Sequence, residues 1–295
     1  MALDRQPPAE LITSRRNPLV KRLRELHAAK GRREQGLVLL EGTHLVQEVI
    51  SLQLVPSDLA ASELLATEAW LGTHGDLVAA LSPAVTIQPV GQEVLEAVAT
   101  TAHPDGVVLT LAAAALQAPP DGQEFVLVLD GLQDPGNLGT LMRTALAAGV
   151  DGLWLAEGAD PFQPKVLRAS AGAALALPIE RMDRSALVQR LIRAAARGLQ
   201  LVAAVPPRAD LDGEQPLPYW ELDWTKPTAL LLGQEGAGLA PELQALASHR
   251  ITIPHSAAVE SLNVAVSAAP LLLERLRQQA PLRGRMPGIN RRAAR

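Results

Sequence analysis

Residues 125–130 read Phe-Val-Leu-Val-Leu-Asp, an apolar run that stays unbroken until its last position. A run of this length with no polar alternation, followed at once by Gly131, is the pattern of a strand covered on both faces, as in a parallel sheet with helical crossovers. The loop GLQDPG and a helical pattern from about 137 to 148 follow it. The alternation then repeats, with strand patterns at 153–156, 175–179, 199–205 and 228–233, and helical patterns at 164–170, 185–197 and 241–247. Strands alternating with helices predict an α/β domain with a parallel sheet and helices on both faces. In such sheets ligands bind beyond the carboxyl ends of the strands.

Upstream, Asn17-Pro18 reads as a helix cap with proline in the first turn, and Leu19, Leu23 and Leu26 then share one face of a basic helix. A buried strand at 37–40, a helix to about 52, strand signals within 83–90, a helix near 92–99 and a strand at 107–111 give a second, smaller α/β unit. The polar, Pro/Gly-bearing stretch LQAPPDGQE at 116–124 is the linker candidate. The expected division is therefore 1–115, a linker at 116–124, the larger α/β domain at 125–280 and a basic tail at 281–295.

Composition narrows the function. The chain has no cysteine, which excludes disulfides, thiolate metal sites and a cysteine nucleophile. No H-x-x-x-H or carboxylate cluster points to a metal. The N-terminus MALDRQPPAE does not read as a signal peptide, and no apolar run reaches the roughly 18 residues of a membrane span, so no membrane association and a cytoplasmic location are expected. The net charge of −4 hides an asymmetry: residues 1–35 carry +5 and residues 275–295 carry +7, leaving −16 between them. Basic ends on an acidic body suit a localised polyanion contact, or solvated termini.

Three loops at strand ends hold the candidate chemistry. In LDGLQDPGNLGTLMRT (129–144), Asn137 sits at a helix start, and Arg143 points away from the core face Leu138, Leu141, Met142 and Ala145. An arginine there suits a phosphate or a developing oxyanion, or is simply exposed. LLLGQEGAGL (230–239) has three glycines within six positions and Glu235 among them, but matches neither a Walker loop nor G-x-G-x-x-G. ITIPHSAAVESLNVAVSAAPLLLE (251–274) joins a strand to a helix through Glu260, Ser261 and Asn263, where free backbone N–H groups converge or where a cap alone is formed. His255 lacks partner spacing and reads as incidental. Pro270 should interrupt the last helix at a cost of about 3 kcal/mol if it is interior.

In this order and spacing the loops resemble the three signature motifs of the SpoU (TrmH-like) RNA 2′-O-ribose methyltransferases, and KVLRASAGA (165–173) and YWELDW (219–224) resemble stretches between them. Residues 14–42 and 100–112 resemble the N-terminal RNA-binding extension of the rRNA-modifying branch. The resemblance implies an α/β fold closed by a deep trefoil knot, S-adenosylmethionine bound in the knot, and a homodimer that brings Arg143 of one subunit near the cofactor of the other. It implies Gly233, Gln234, Ile253 and Leu262 as cofactor-binding and Asn137, Arg143, Glu235, Ser261 and Asn263 as lining the reaction site. The implied partner is RNA, with rRNA ahead of tRNA and no metal. A catalytically silent RNA-binding protein of the same fold is the alternative, and the missing G-x-G-x-x-G argues against a nucleotide-dependent oxidoreductase.

Overall fold

The computed structural model describes residues 9–116, 122–207, 215–256 and 258–280. The chain divides into two compact units, Met1–Gln117 with Asp160–Ala176, and Ala118–Ala159 with Leu177–Arg295. It leaves the first unit within the stretch read as a linker, of which residues 117–121 lie outside the described residues, as does the whole basic tail 281–295.

The first unit holds β1 (Leu37–Glu41), β2 (Glu63–Ala66), β3 (Thr86–Pro89) and β4 (Val107–Ala112), in the order β1-β4-β2-β3. Only the β2–β3 pair is parallel. The helix Pro18–Glu25 starts as its sequence demands, with Pro18 in the first turn and the Asn17 side chain accepting from Leu19 N at 2.9 Å. Its Val20 and Leu23, followed by Leu26, pack with Leu37, Leu39, Leu65, Val94, Leu95 and Val98.

Residues 160–176, expected in the larger domain, group with this first unit, and buried polar contacts explain why. Arg32 is 7% exposed; it pairs with Asp160 at 2.5 Å and donates to the carbonyls of Leu26 and His27. The Glu41 carboxylate, at the end of β1, accepts from the backbone and hydroxyl groups of Thr100 and Thr101. Arg168 Nη1 donates to Thr100 Oγ1 at 2.5 Å and lies 3.8 Å from Glu41. Burial alone would raise the Glu41 pKa, but the threonine hydrogen bonds outweigh it and hold the carboxyl below its ordinary value.

The second unit is built on a parallel sheet of β5 (Phe125–Asp130), β6 (Gly152–Ala156), β7 (Ile179–Met182), β8 (Gln200–Ala204), β9 (Leu217–Pro218), β10 (Thr228–Leu232) and β11 (His249–Thr252). The order is β7-β6-β5-β10-β8-β11-β9. Every residue of β5 and β10 is buried, as their apolar runs require of central strands. Val126, Val128 and Leu231 pack with Leu187 and Leu191 of the helix Arg184–Ala196 and with Leu243. Leu127, Leu129 and Leu230, which alternate to the opposite face, are equally buried.

Three local expectations change. The strand expected at 175–179 is a short helix Ala173–Ala176 followed by β7, because the Ala/Leu stretch favours helix and only the segment after Pro178 pairs with β6. The helix expected from about 137 begins at Pro135 and is capped by Asp134, whose carboxylate accepts from Asn137 N at 2.7 Å. Pro270 lies inside an uninterrupted helix, Val264–Gln279. The one N–H it removes would have bonded the carbonyl of Val266, a residue 62% exposed and so open to water. Among the described residues, no helix is long and apolar enough to cross a membrane, and no group of three or more potential ligands could hold a metal.

Candidate active site

The three candidate loops leave the carboxyl ends of β5, β10 and β11. After β5 the chain turns at Gly131, which has φ +70° and donates to Ala156 O at 2.8 Å, and then enters the Asp134-capped helix Pro135–Ala147. After β10 the loop folds back on itself, with Gln234 N donating to Gly238 O at 3.2 Å and Gly238 N to Gln234 O at 3.0 Å. That return fixes glycine at 233: a Cβ there would lie 2.0 Å from Gly238 C and 2.2 Å from Leu239 N. After β11 the chain passes His255, whose Nδ1 donates to Ile253 O at 2.8 Å, and reaches Asn263. The Asn263 Oδ1 accepts from Ala265 N and Val266 N and so caps the helix Val264–Gln279.

The cap determines what Asn263 does next. Its oxygen is occupied, so its amide donates, and Nδ2 reaches Asn137 Oδ1 at 3.1 Å. Asn137, its oxygen now accepting, turns its own Nδ2 to Glu235 Oε1 at 2.5 Å. One residue from each loop is therefore joined in a single directional chain of hydrogen bonds. Both helices begin at this cluster, and their aligned peptide dipoles favour the negative charge of Glu235. The second Glu235 oxygen makes no hydrogen bond among the described residues and is available to a ligand.

A second set of contacts holds the loops beneath that cluster, and sequence reading missed it. Asp130, at the last position of β5, is 2% exposed. Its Oδ2 accepts from Ala240 N at 2.9 Å, at the far end of the glycine loop, and its Oδ1 accepts from Arg184 Nε at 3.0 Å. Arg184 also meets Glu157 at 3.1 Å. The hydrogen bond and charge of Asp130 push the Arg184 pKa upward. The only signal in the sequence was an acid closing an otherwise apolar strand.

The remaining candidates are placed as follows. Gln234 packs beside Gly131, its side chain about 4.0 Å from where a Cβ would stand there. Ile253 is half-buried, Leu262 is 37% exposed, and Ser261 is exposed with no hydrogen bond among the described residues. Arg143 is exposed, lies about 9 Å further along its helix than Asn137, and turns roughly 120° from it, outside the hydrogen-bonded cluster of its own chain. Thr252, 6% exposed at the end of β11, has a buried hydroxyl without a hydrogen-bond partner among the described residues.

Residues 124–273, which contain all three loops, match the model of the SpoU rRNA Methylase family. The chain belongs to this family. The SpoU region is preceded by a match to the MRM3-like substrate binding domain at residues 17–109. An uncharacterized tRNA/rRNA methyltransferase of Synechocystis sp. is 43% identical to this SpoU protein over 91% of this chain and 94% of its own. The 23S rRNA (guanosine(2553)-2′-O)-methyltransferase RlmP of Bacillus subtilis is 31% identical over 88% of this chain and 97% of its own. The crystal structure of an AdoMet-bound rRNA methyltransferase from Sinorhizobium meliloti superposes with a TM-score of 0.72 at 30% identity, covering 91% of this chain and 97% of the other.

Proposed function

We propose that this SpoU protein transfers the methyl group of S-adenosylmethionine to a ribose 2′-hydroxyl in structured RNA, with rRNA as the substrate. The observation that carries this reading is the hydrogen-bonded chain Asn263–Asn137–Glu235, which ties the three motif loops into one polar cluster at the carboxyl rim of the sheet. The relatives RlmP and the Sinorhizobium protein, named for rRNA methylation, support the choice of substrate.

The residues present fit the cofactor. Its purine and amino-acid ends need backbone and hydroxyl partners beside apolar surface. The folded-back loop at Gly233–Leu239, the half-buried Ile253, the exposed Leu262 and the Thr252 hydroxyl, which has no hydrogen-bond partner among the described residues, supply these. When bound, the cofactor supplies a methyl group already activated on sulfonium. The protein then has to orient a poor nucleophile in line. Glu235, fixed by Asn137, accepts the hydrogen bond of the 2′-hydroxyl through its free oxygen. Arg143 holds the adjacent phosphate and stabilises the forming alkoxide; a guanidinium is too hard to deprotonate to serve as base. Ser261 adds a hydroxyl beside the ribose.

Arg143 reaches that position in a homodimer, from the partner subunit. Supporting this, Val266 (62% exposed) and Leu273 (44%) lie with Pro270 in one stripe of the helix Val264–Gln279. Leu146, 41% exposed, follows Arg143 by three residues on the other motif helix. A second copy would cover this apolar surface. The knotted threading, a reaction without metal and the cytoplasmic location belong to the same proposal. The test is to incubate the protein with labelled S-adenosylmethionine and unmodified rRNA transcript, then map ribose methylation by resistance to alkaline cleavage. One new protected linkage is expected, and label confined to bases would reject the reading.

A further inference from the structure

The first unit carries a cleft of about 560 Å³ beside the helix Pro18–Glu25, lined by Arg15, Arg24, His27, Glu96, Ala97, Ala99 and Thr100. We infer that this cleft and the adjoining flank of the helix form the phosphate grip through which the protein holds its RNA; this rests on the methyltransferase reading above.

The helix buries Val20 and Leu23, so its other side is left to water. Counting 100° per residue from Leu23, Arg24 lies about 100° away and Lys21 about 160° away, on the same flank. Arg16 precedes them. These three side chains are exposed, and among the described residues none has an ion-pair partner. An unpaired cation on a protein surface is ordinary; several along one flank, bordering a cleft, make a positive strip.

The walls of the cleft are fixed. Arg15 Nε donates to Glu93 O at 3.1 Å, and the guanidinium lies 3.5 Å from the Glu93 carboxylate and 3.8 Å from that of Glu96. Those contacts engage Glu93 and Glu96, while a third acid, Glu25, is exposed at the end of the helix about 40° round from Lys21. His27 lies with Nε2 2.8 Å from Val98 O, and a carbonyl can only accept, so Nε2 carries a proton. Ala97 and Ala99 keep the floor low, and Thr100 is locked by its bonds to Glu41 and Arg168. The charge balance of Arg15, Arg16, Lys21 and Arg24 against Glu25, Glu93 and Glu96 is +1.

The volume falls within the roughly 300–1,000 Å³ of small-ligand sites, enough for a short piece of backbone and too little for a duplex. The guanidinium groups of Arg15 and Arg24 suit phosphate oxygens, while the flank with Lys21 and Arg16 extends the contact along a strand. Contacts of this kind to phosphate set the position and register of the RNA.

The test uses the full chain and a 23S rRNA transcript as probe, with affinity measured against KCl concentration. For the triple variant Arg16→Gln/Lys21→Gln/Arg24→Gln, the slope of log K on log salt should become shallower by about two to three, at roughly 0.7–0.9 per lost phosphate contact. Affinity at low salt should fall at least tenfold, and KM for RNA should rise. The charge reversal Arg24→Glu, at an exposed position, should repeat the direction without touching the fold. An unchanged slope in both variants, with wild-type protein that methylates the transcript, would overturn the cleft and leave the methyltransferase reading standing. Wild-type protein that neither binds nor methylates the transcript would overturn both.

Discussion

Replacing Asn137 with Asp changes one atom's chemistry at the centre of the proposed site. The Asn137 Nδ2 donor, 2.5 Å from Glu235 Oε1, becomes an oxygen, while the acceptor for Asn263 is kept. Two carboxylates then face each other and separate to about 4 Å, where like charges repel by roughly 1 kcal/mol in water and about 4 kcal/mol in a surface-like dielectric. Glu235 is exposed, which favours the lower part of that range. Adding about 1 kcal/mol for the lost hydrogen bond gives roughly 2–3 kcal/mol, or a 30- to 150-fold fall in kcat/KM. The loss should shrink as pH falls toward about 5.5, because a carboxylate pair takes up a shared proton above the usual carboxyl range. The double variant Asn137→Asp/Glu235→Gln reverses donor and acceptor, so it should exceed the single variant in kcat/KM at least fivefold at neutral pH. Methyl transfer to an rRNA transcript, measured from pH 5.5 to 8.5, reads all of these effects. A double variant no more active than Asn137→Asp, with no recovery at low pH, would refute the hydrogen-bonded link between the loops.

Other consequences are separable. Gly233→Ala puts a Cβ about 2 Å from the Gly238 backbone, forces the glycine loop open, and should weaken cofactor binding at least tenfold by calorimetry; affinity within twofold of wild type would remove the loop from the cofactor site. Asp130→Ala leaves Ala240 N and a partly exposed Arg184 without their buried acceptor, and should cost roughly 2–3 kcal/mol in chemical denaturation; a cost under about 0.5 kcal/mol would show that the anchor is dispensable. Glu41 has a folded-state pKa below the ordinary 4.5, so below that value the unfolded chain binds the proton more readily. Its contribution to stability is present above about pH 4.5 and lost as pH falls through the folded value. Melting curves of wild type and Glu41→Gln should therefore converge as pH falls below about 4.5, and parallel curves would assign the acid sensitivity elsewhere.

Much of this architecture was legible because the strands of a sheet covered on both faces are long apolar runs. FVLVLD and TALLL became the two central strands in register, Phe125 to Thr228 and onward. Glycine and capping signals located the loops, and Asn17 caps its helix as read. Less legible was anything decided by tertiary partners. The Ala/Leu stretch before Pro178 has no periodicity that separates a helix from a strand, and it formed a helix. Residues 160–176 look like one more crossover, and only the Arg32–Asp160 pair and the Arg168–Thr100 bond show that they side with the first unit. Asn137 was legible as a residue of interest but not as the middle of a hydrogen-bonded chain, because the cap is supplied by Asp134. Asp130 and Arg184 are 54 positions apart, and nothing local joins them.

All of this turns on whether the three rim loops form one pocket for the methyl donor. The most direct measurement is a crystal structure of the protein with S-adenosylhomocysteine, the demethylated form of the cofactor. The expected result is a ligand held by the Gly233–Leu239 and Ile253–Leu262 backbone, its sulfur facing the Asn137–Glu235–Asn263 cluster. A ligand bound away from those loops, or with its sulfur turned from that cluster, would contradict the proposed site.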